Sequence, residues 1–249
     1  MYSEYEEWLG VCRGAPDCIA TVYFLEEYEI SGQEEPEQVE YCIAPDFARI
    51  THANGEVLMD VQRDLLAHYD RESKEWRLQS LHAFESKIDS TTAILLARLE
   101  ELRGARGLPV FEKTGEGPHI VNTPTDRYHL YVEAESFPGE LEEVEEEIWV
   151  ASRELLAWSA TYPTYERIVR LYDQMWRDVP IERPDGVVVH TTLRRRPLSR
   201  RTSDSQDQWE VEKATIVEVE YRCMPYGFFQ LPPEVEARAA DEDLGWRPD

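Results

Sequence analysis

Residues 47–81 read FARITHANGEVLMDVQRDLLAHYDRESKEWRLQSL. Four short runs rich in apolar residues, 47–52 (FARITH), 56–62 (EVLMDVQ), 65–70 (LLAHYD) and 76–81 (WRLQSL), are separated by polar turns. Asn54-Gly55 is the strongest turn signal, because both residues tolerate the positive φ of a two-residue hairpin loop. It is expected to join 47–52 to 56–62. The charged turn RESKE (71–75) is expected to join the last two runs. The stretch predicts an antiparallel meander.

The same alternation extends in both directions. Upstream, Ala20, Val22, Phe24, Tyr28 and Ile30 share one face of a strand, with Glu27 and Glu29 on the other. The polar loop SGQEEPE (31–37), the run Val39, Tyr41 and Ile43, and a turn at Pro45-Asp46 complete the approach. Downstream, 126–134 and 145–151 read as a hairpin around the acidic loop ESFPGELEEV, and 186–193 as another strand. The longest strand is 208–222, with Trp209, Val211, Thr215, Val217, Val219 and Tyr221 on one face and Glu210, Glu212, Glu218, Glu220 and Arg222 on the other. One wet face is the mark of an antiparallel sheet covered on one side.

Two helices interrupt the strands. Residues 90–103 carry Ile94, Leu95, Leu99 and Leu102 near helical spacing, between a Ser90 N-cap and a Gly104 stop. Residues 164–178 carry Ile168, Leu171, Tyr172, Met175 and Trp176 as one apolar stripe, which Val179 continues. No repeat or domain-splitting linker is visible. The organisation is a lead-in over 1–18, one mainly β (α+β) domain over 19–235, and a tail over 236–249.

The chain has 51 Asp and Glu against 26 Lys and Arg, a net charge of −25. That charge excludes DNA and RNA as partners, which are held by cationic groups on phosphates, and opposes adsorption to anionic lipid surfaces. An acidic mimic of nucleic acid would need carboxylates spaced along a ridge. No run approaches the length of an apolar membrane span, so an integral membrane protein is not expected. The first twenty residues show neither a basic n-region nor an apolar h-region, which leaves the cytoplasm, or an envelope compartment reached by a leader since removed. Residues 194–207 (RRRPLSRRTSDSQD) hold five of the 26 basic residues within Arg194–Arg201 and read as a hairpin loop or an anion or partner contact.

No nucleophile elbow, HExxH, P-loop or GxGxxG is present, so no catalytic residue, metal ligand or cofactor is assigned. The six histidines are scattered; His68 with Asp70, and His119 with His129, are the pairs that strand geometry brings nearest. Of Cys12, Cys18, Cys42 and Cys223, the first two are expected to form a disulfide if the protein is exported, with Gly14 and Pro16 helping the turn.

Three pieces in order resemble bacterial envelope proteins of the LolA/LolB-like superfamily, which includes lipoprotein carriers. They are the run 38–81 (IAPDFARI, GEVLMD and HYD with its following turn and strand), RYHLYV (127–132) with EIWVA (147–151), and the last strand running into Met224-Pro225 and FFQLPP (228–233). The resemblance implies an unclosed β-barrel, or strongly curved antiparallel sheet, with helices over its concave face and a hydrophobic cavity between. It also implies the cell envelope or periplasm and a lipid or acyl-chain ligand, with no catalysis. The cavity wall would comprise Phe24, Tyr41, Val217, Val219 and Tyr221 on the sheet and Ile168, Met175 and Trp176 on the helix. Trp176 would be buried and would report occupancy. The alternative is a sensor or protein–protein interaction domain of the same fold with a filled core.

Overall fold

The computed structural model describes residues 12, 15, 17–33, 35–103, 110–136, 140–153, 161–176, 183–197 and 209–241. Among these residues, eleven strands form one antiparallel sheet: β1 (Cys18–Ile30), β2 (Glu37–Ile43), β3 (Phe47–His52), β4 (Gly55–Asp60), β5 (Leu65–Asp70), β6 (Glu75–Ser80), β7 (Glu112–Glu116), β8 (Thr125–Ser136), β9 (Glu140–Ala151), β10 (Val187–Pro197) and β11 (Glu210–Pro225). Their order is β6-β5-β4-β3-β2-β1-β11-β10-β9-β8-β7. The sheet is unclosed, with β6 and β7 as its edges. Two meanders meet at β1 and β11, and helix α1 (Leu81–Arg103) carries the chain from one edge toward the other. Helix α2 (Tyr162–Trp176) follows β9.

The main core lies between α1, α2 and the concave face of the sheet. It contains Val22 and Phe24 of β1, Ile50 of β3, Met59 of β4, Tyr165 and Ile168 of α2, and Ile216 of β11. Alternation explains the choice of residues, since every second side chain of a strand faces the same way. The convex face is covered locally by the C-terminal segment. Phe229, in a 3-10 turn over Tyr226–Phe229, packs with Tyr23 and Phe47. Leu231, with Val235 of helix α3 (Pro233–Asp241), packs on Leu58, Leu65 and Ala67. Arg63 forks onto both oxygens of Glu236 at 2.5 and 2.6 Å, which fixes α3 to the β4–β5 loop. Position 236, at which the tail was expected to begin, therefore lies within a packed helix.

The hairpin joining β3 to β4 is present, but its turn is Ala53-Asn54, because His52 pairs with Gly55. Asn54 does not adopt positive φ. Gly55 has another reason to be glycine: a Cβ there would lie 1.9 Å from the Tyr69 carbonyl oxygen of β5. The next two loops reach the left-handed region at Asp64 and Lys74 instead.

Three further expectations are corrected. Helix α1 begins at Leu81, not near 90. Ser80 accepts a bond from the Ala83 N–H at 3.0 Å, and Asp64 accepts one from the His82 N–H at 2.7 Å, so the orphan donors of the first turn are satisfied there. Ser90 sits in mid-helix and donates to the Ser86 carbonyl. The acidic segment after 135 is largely strand, with Ser136 paired to Glu140. Residues Arg194–Pro197 also belong to β10, with Arg194 paired to Glu145 at 3.2 Å and Arg196 to Glu143. The rest of the basic stretch lies outside the described residues.

β11 contains the most consequential correction. Leu25 of β1 pairs with Glu218, but Glu26 pairs with Ile216, leaving Val217 as the extra residue of a β-bulge. A bulge reverses the parity of every residue beyond it. Before it, Glu212, Ala214 and Ile216 face the concave side; after it, Val219 and Tyr221 do. Val217 and Tyr221 are 42% and 44% exposed, so neither forms the buried wall that uninterrupted alternation implied.

The cysteine pairing is likewise corrected. Cys12 is bonded to Cys223, with Cα atoms 5.8 Å apart, whereas Cys18 and Cys42 are free. Cys223 pairs across the sheet with Ala20, so the β1–β11 contact brings the end of the sheet back to the segment preceding β1.

Candidate functional site

A cavity of about 350 Å³ lies between the concave face and α2. Its floor is built by registered strands: Phe24, Tyr41, Ile50, Val57 and His68 form one transverse row across β1 to β5. Phe24, Tyr41, Val57 and His68 border the cavity directly. On the other side of β1, Ile216 and Ala214 of β11 and Thr191 and Leu193 of β10 continue the floor. Tyr165, Ile168 and Val169 of α2 form the roof.

Helix α2 is held over both halves of the sheet. The Tyr165 hydroxyl accepts from the Val188 N–H at 3.0 Å, and its ring meets Phe24 edge-on at 6.4 Å. Tyr162 donates to Asp185 at 3.2 Å. Thr164 donates to the Pro45 carbonyl in the β2–β3 turn. Arg167 pairs with Glu85 of α1 at 3.2 Å. These contacts fix the first turns of the roof, where the lining is apolar. Toward the opposite ends of the strands, beside the β1–β2, β3–β4 and β10–β11 connections, the lining becomes polar: Glu37, Asn54 and His52 on one side, Arg195, Glu212 and Lys213 on the other.

One acidic group lies within the apolar part. Glu26 is flanked on its own face by Phe24 and Tyr28, and opposed by Val39 of β2 and Ile216 of β11. Burial pushes its carboxyl above the usual carboxylate range; a 2.7 Å hydrogen bond from the Tyr41 hydroxyl and the charge of Arg183 act in the opposite direction. The Tyr28 hydroxyl donates to Glu212 at 2.8 Å, and burial followed by that bond raises its pKa. His52, which stacks on His68 with ring centroids 6.3 Å apart, has its pKa lowered by burial and then by the neighbouring histidine.

Of the wall residues expected from sequence, Phe24, Tyr41 and Ile168 border the cavity. Val219 packs on the main core but not on the cavity, and Val217 and Tyr221 are exposed. The side chains of Met175 and Trp176 lie outside the described residues. Sequence reading missed Glu26, although its parity with Phe24 and Tyr28 placed it on the apolar face. It also missed Tyr165, one turn before Ile168, and Arg183, for which no local pattern exists.

Two of the remaining histidines are held by neighbouring side chains. His129 bonds Glu145 at 2.9 Å and does not meet His119. His190 lies between Thr215 and Thr192 at 2.7 and 2.9 Å, with the Trp149 ring stacked on it. Among the described residues no group of three or more His, Cys, Asp or Glu is arranged to hold a metal ion, and no helix is long and apolar enough to cross a membrane.

The molecule is thus an unclosed antiparallel sheet with a helix-roofed cavity on its concave face. Solved structures similar to it include a LolA superfamily protein from Nitrosomonas europaea, at 10% identity and a TM-score of 0.27, over 92% of this chain and 97% of that one. A putative outer membrane lipoprotein-sorting protein domain from Vibrio parahaemolyticus matches at 7% identity and a TM-score of 0.26, over 94% and 96%. PNGF-II matches at 10% identity and a TM-score of 0.40, over 84% of this chain but only 29% of that one. Likenesses at these scores bring neither ligand nor activity to this chain. No family model and no curated protein matches it.

Proposed function

We propose that this protein is a non-catalytic binder or carrier of a hydrophobic ligand, held in the cavity between the sheet and α2. The observation that carries the reading is the cavity itself: about 350 Å³ bordered by Phe24, Val57, Ile168, Val169 and Ile216. That volume falls within the usual range of small-ligand sites, ~300–1,000 Å³. Binding would be driven by removing apolar ligand surface from water, at ~0.8 kcal/mol per methylene. The polar end would leave a ligand's head group near solvent. The Cys12–Cys223 disulfide supports an oxidising setting such as the periplasm or cell envelope.

The test is a chain-length series of primary alcohols, titrated calorimetrically into the whole protein. Each added methylene is expected to tighten binding about fourfold until the cavity is filled, then to contribute nothing. Affinity independent of chain length, or no binding at any length, would overturn the reading.

A further inference from the structure

The polar end of the cavity has two unlike flanks. On the β10–β11 side its groups are engaged: Glu212 accepts from the Tyr28 hydroxyl at 2.8 Å, Lys213 pairs with Glu29 at 3.5 Å, and Arg195 acts on Tyr28 electrostatically. On the β2–β5 side, Glu37, His52, Asn54 and His68 border the same cavity, and among the described residues none of their side chains makes a hydrogen bond to the protein. His52 and His68 stand on β3 and β5, two strand spacings or about 10 Å apart along the sheet. Their rings nevertheless stack with centroids 6.3 Å apart, and Gly55, beside His52 on β4, puts no side chain between them. Burial, and then the neighbouring histidine, lowers the His52 pKa and keeps that ring uncharged at neutral pH.

We propose that this flank is a head-group site for an uncharged head of about the size of glycerol that bears adjacent hydroxyls, its hydrocarbon chain lying against Phe24, Val57 and Ile216 under α2. This rests on the hydrophobic-ligand reading and adds the chemical class of the head. A ligand filling the apolar part takes water away from these four side chains, which then need other partners. A neutral imidazole offers one N–H and one bare nitrogen, Asn54 an amide donor and a carbonyl, and Glu37 acceptors alone. An anionic head would use the donors but meet the Glu37 carboxylate, and an ammonium would leave the donors idle. A hydroxyl donates and accepts at one atom, so neighbouring hydroxyls serve both kinds of group together.

The experiment compares 1-O-decylglycerol, decanol, decylamine and decanoate by calorimetric titration into the whole protein at neutral pH. Sodium chloride at roughly 0.3 M screens the general attraction of a chain of net charge −25 for the amine. Wild type is expected to bind the glycerol ether about tenfold tighter than decanol, the margin of two net uncharged hydrogen bonds, and tighter than either charged ligand. His52→Phe and His68→Phe keep a ring in each place and remove its nitrogens. Each should shrink the margin to about threefold, and the two together to less than about twofold. His119→Phe, at an exposed histidine outside the cavity, should keep it. An equal margin in wild type and the double variant overturns the proposal while leaving the hydrophobic-ligand reading intact. Tightest binding of the amine or of decanoate does the same. Failure of both decanol and the glycerol ether to bind removes both. Should the phenylalanine variants fail to fold, wild type decides with 1-O-decyl-2,3-di-O-methylglycerol: weaker binding than the free diol supports the site, and equal binding overturns it.

Discussion

Replacing Cys12 by Ser opens a covalent loop spanning 211 residues of sequence separation. In the chain-entropy account, closing a loop of that size removes freedom from the unfolded chain equivalent to about 5 kcal/mol at room temperature. A Cys12–Cys18 bridge would close a loop of only six residues' separation and contribute about 2 kcal/mol. The two pairings are therefore distinguishable by magnitude as well as by identity. Urea unfolding of the oxidised protein, the reduced protein and the Cys12→Ser variant would measure the difference. With a denaturant slope of about 3 kcal/mol per M, the midpoint should fall by between about 1 and 2 M on reduction or on Cys12→Ser. Cys223→Ser should reproduce the loss, and Cys18→Ser should leave the oxidised protein unchanged. If Cys18→Ser destabilises and Cys223→Ser does not, the Cys12–Cys223 cross-link is wrong. Coincident midpoints for oxidised and reduced protein would mean that no bridge forms.

Three further outcomes follow from the same geometry. Val217→Asp, at the exposed bulge, should change thermal stability by no more than about 0.5 kcal/mol, whereas Ile216→Asp should prevent cooperative folding; the reverse pattern would remove the bulge. Burial raises the Glu26 carboxyl above its ordinary value of 4.5, so the ionised form is a cost to the folded state that disappears as pH falls through the raised value. Glu26→Gln should accordingly be more stable than wild type at neutral pH and lose that advantage on acidification, and melts showing a pH-independent difference would contradict the sign. Ala214→Phe projects a ring into the cavity, so it should abolish alcohol binding in calorimetry while costing about 1–3 kcal/mol if the ring is crowded; retained binding would place the ligand elsewhere.

Most strands were legible because their side chains alternate between a covered and a wetter face, as in β1 and in the β3–β6 meander. β7 was not, since all of EKTGE is exposed and an edge strand wet on both faces shows no period. The true start of α1 was hidden because part of its capping comes from Asp64, sixteen residues before Ser80. Nothing in ATIVEVEYR distinguishes a bulge from continued alternation, so one inserted residue misplaced the wall on β11. The consecutive apolar residues Leu65, Leu66 and Ala67 did carry a trace of the convex covering, because only a strand buried on both faces has use for them. Glu26 was legible by parity but stood among 51 acidic residues. The cavity depended on the register of separate hairpins and on where α2 is tied, which no single segment encodes.

The seam between β1 and β11 also bears on how the protein is made. Within the sheet, the thirteen-residue β1 is synthesised before every other strand, and its neighbour on one side, β11, after all of them. Throughout synthesis of everything between, that long edge has hydrogen-bonding groups without their final partner. Pairings of such high sequence separation form slowly, and open strand edges invite association with other chains. The arrangement makes completion of the nascent protein all-or-none at its centre, and the period before β11 arrives is when this chain has greatest need of a chaperone.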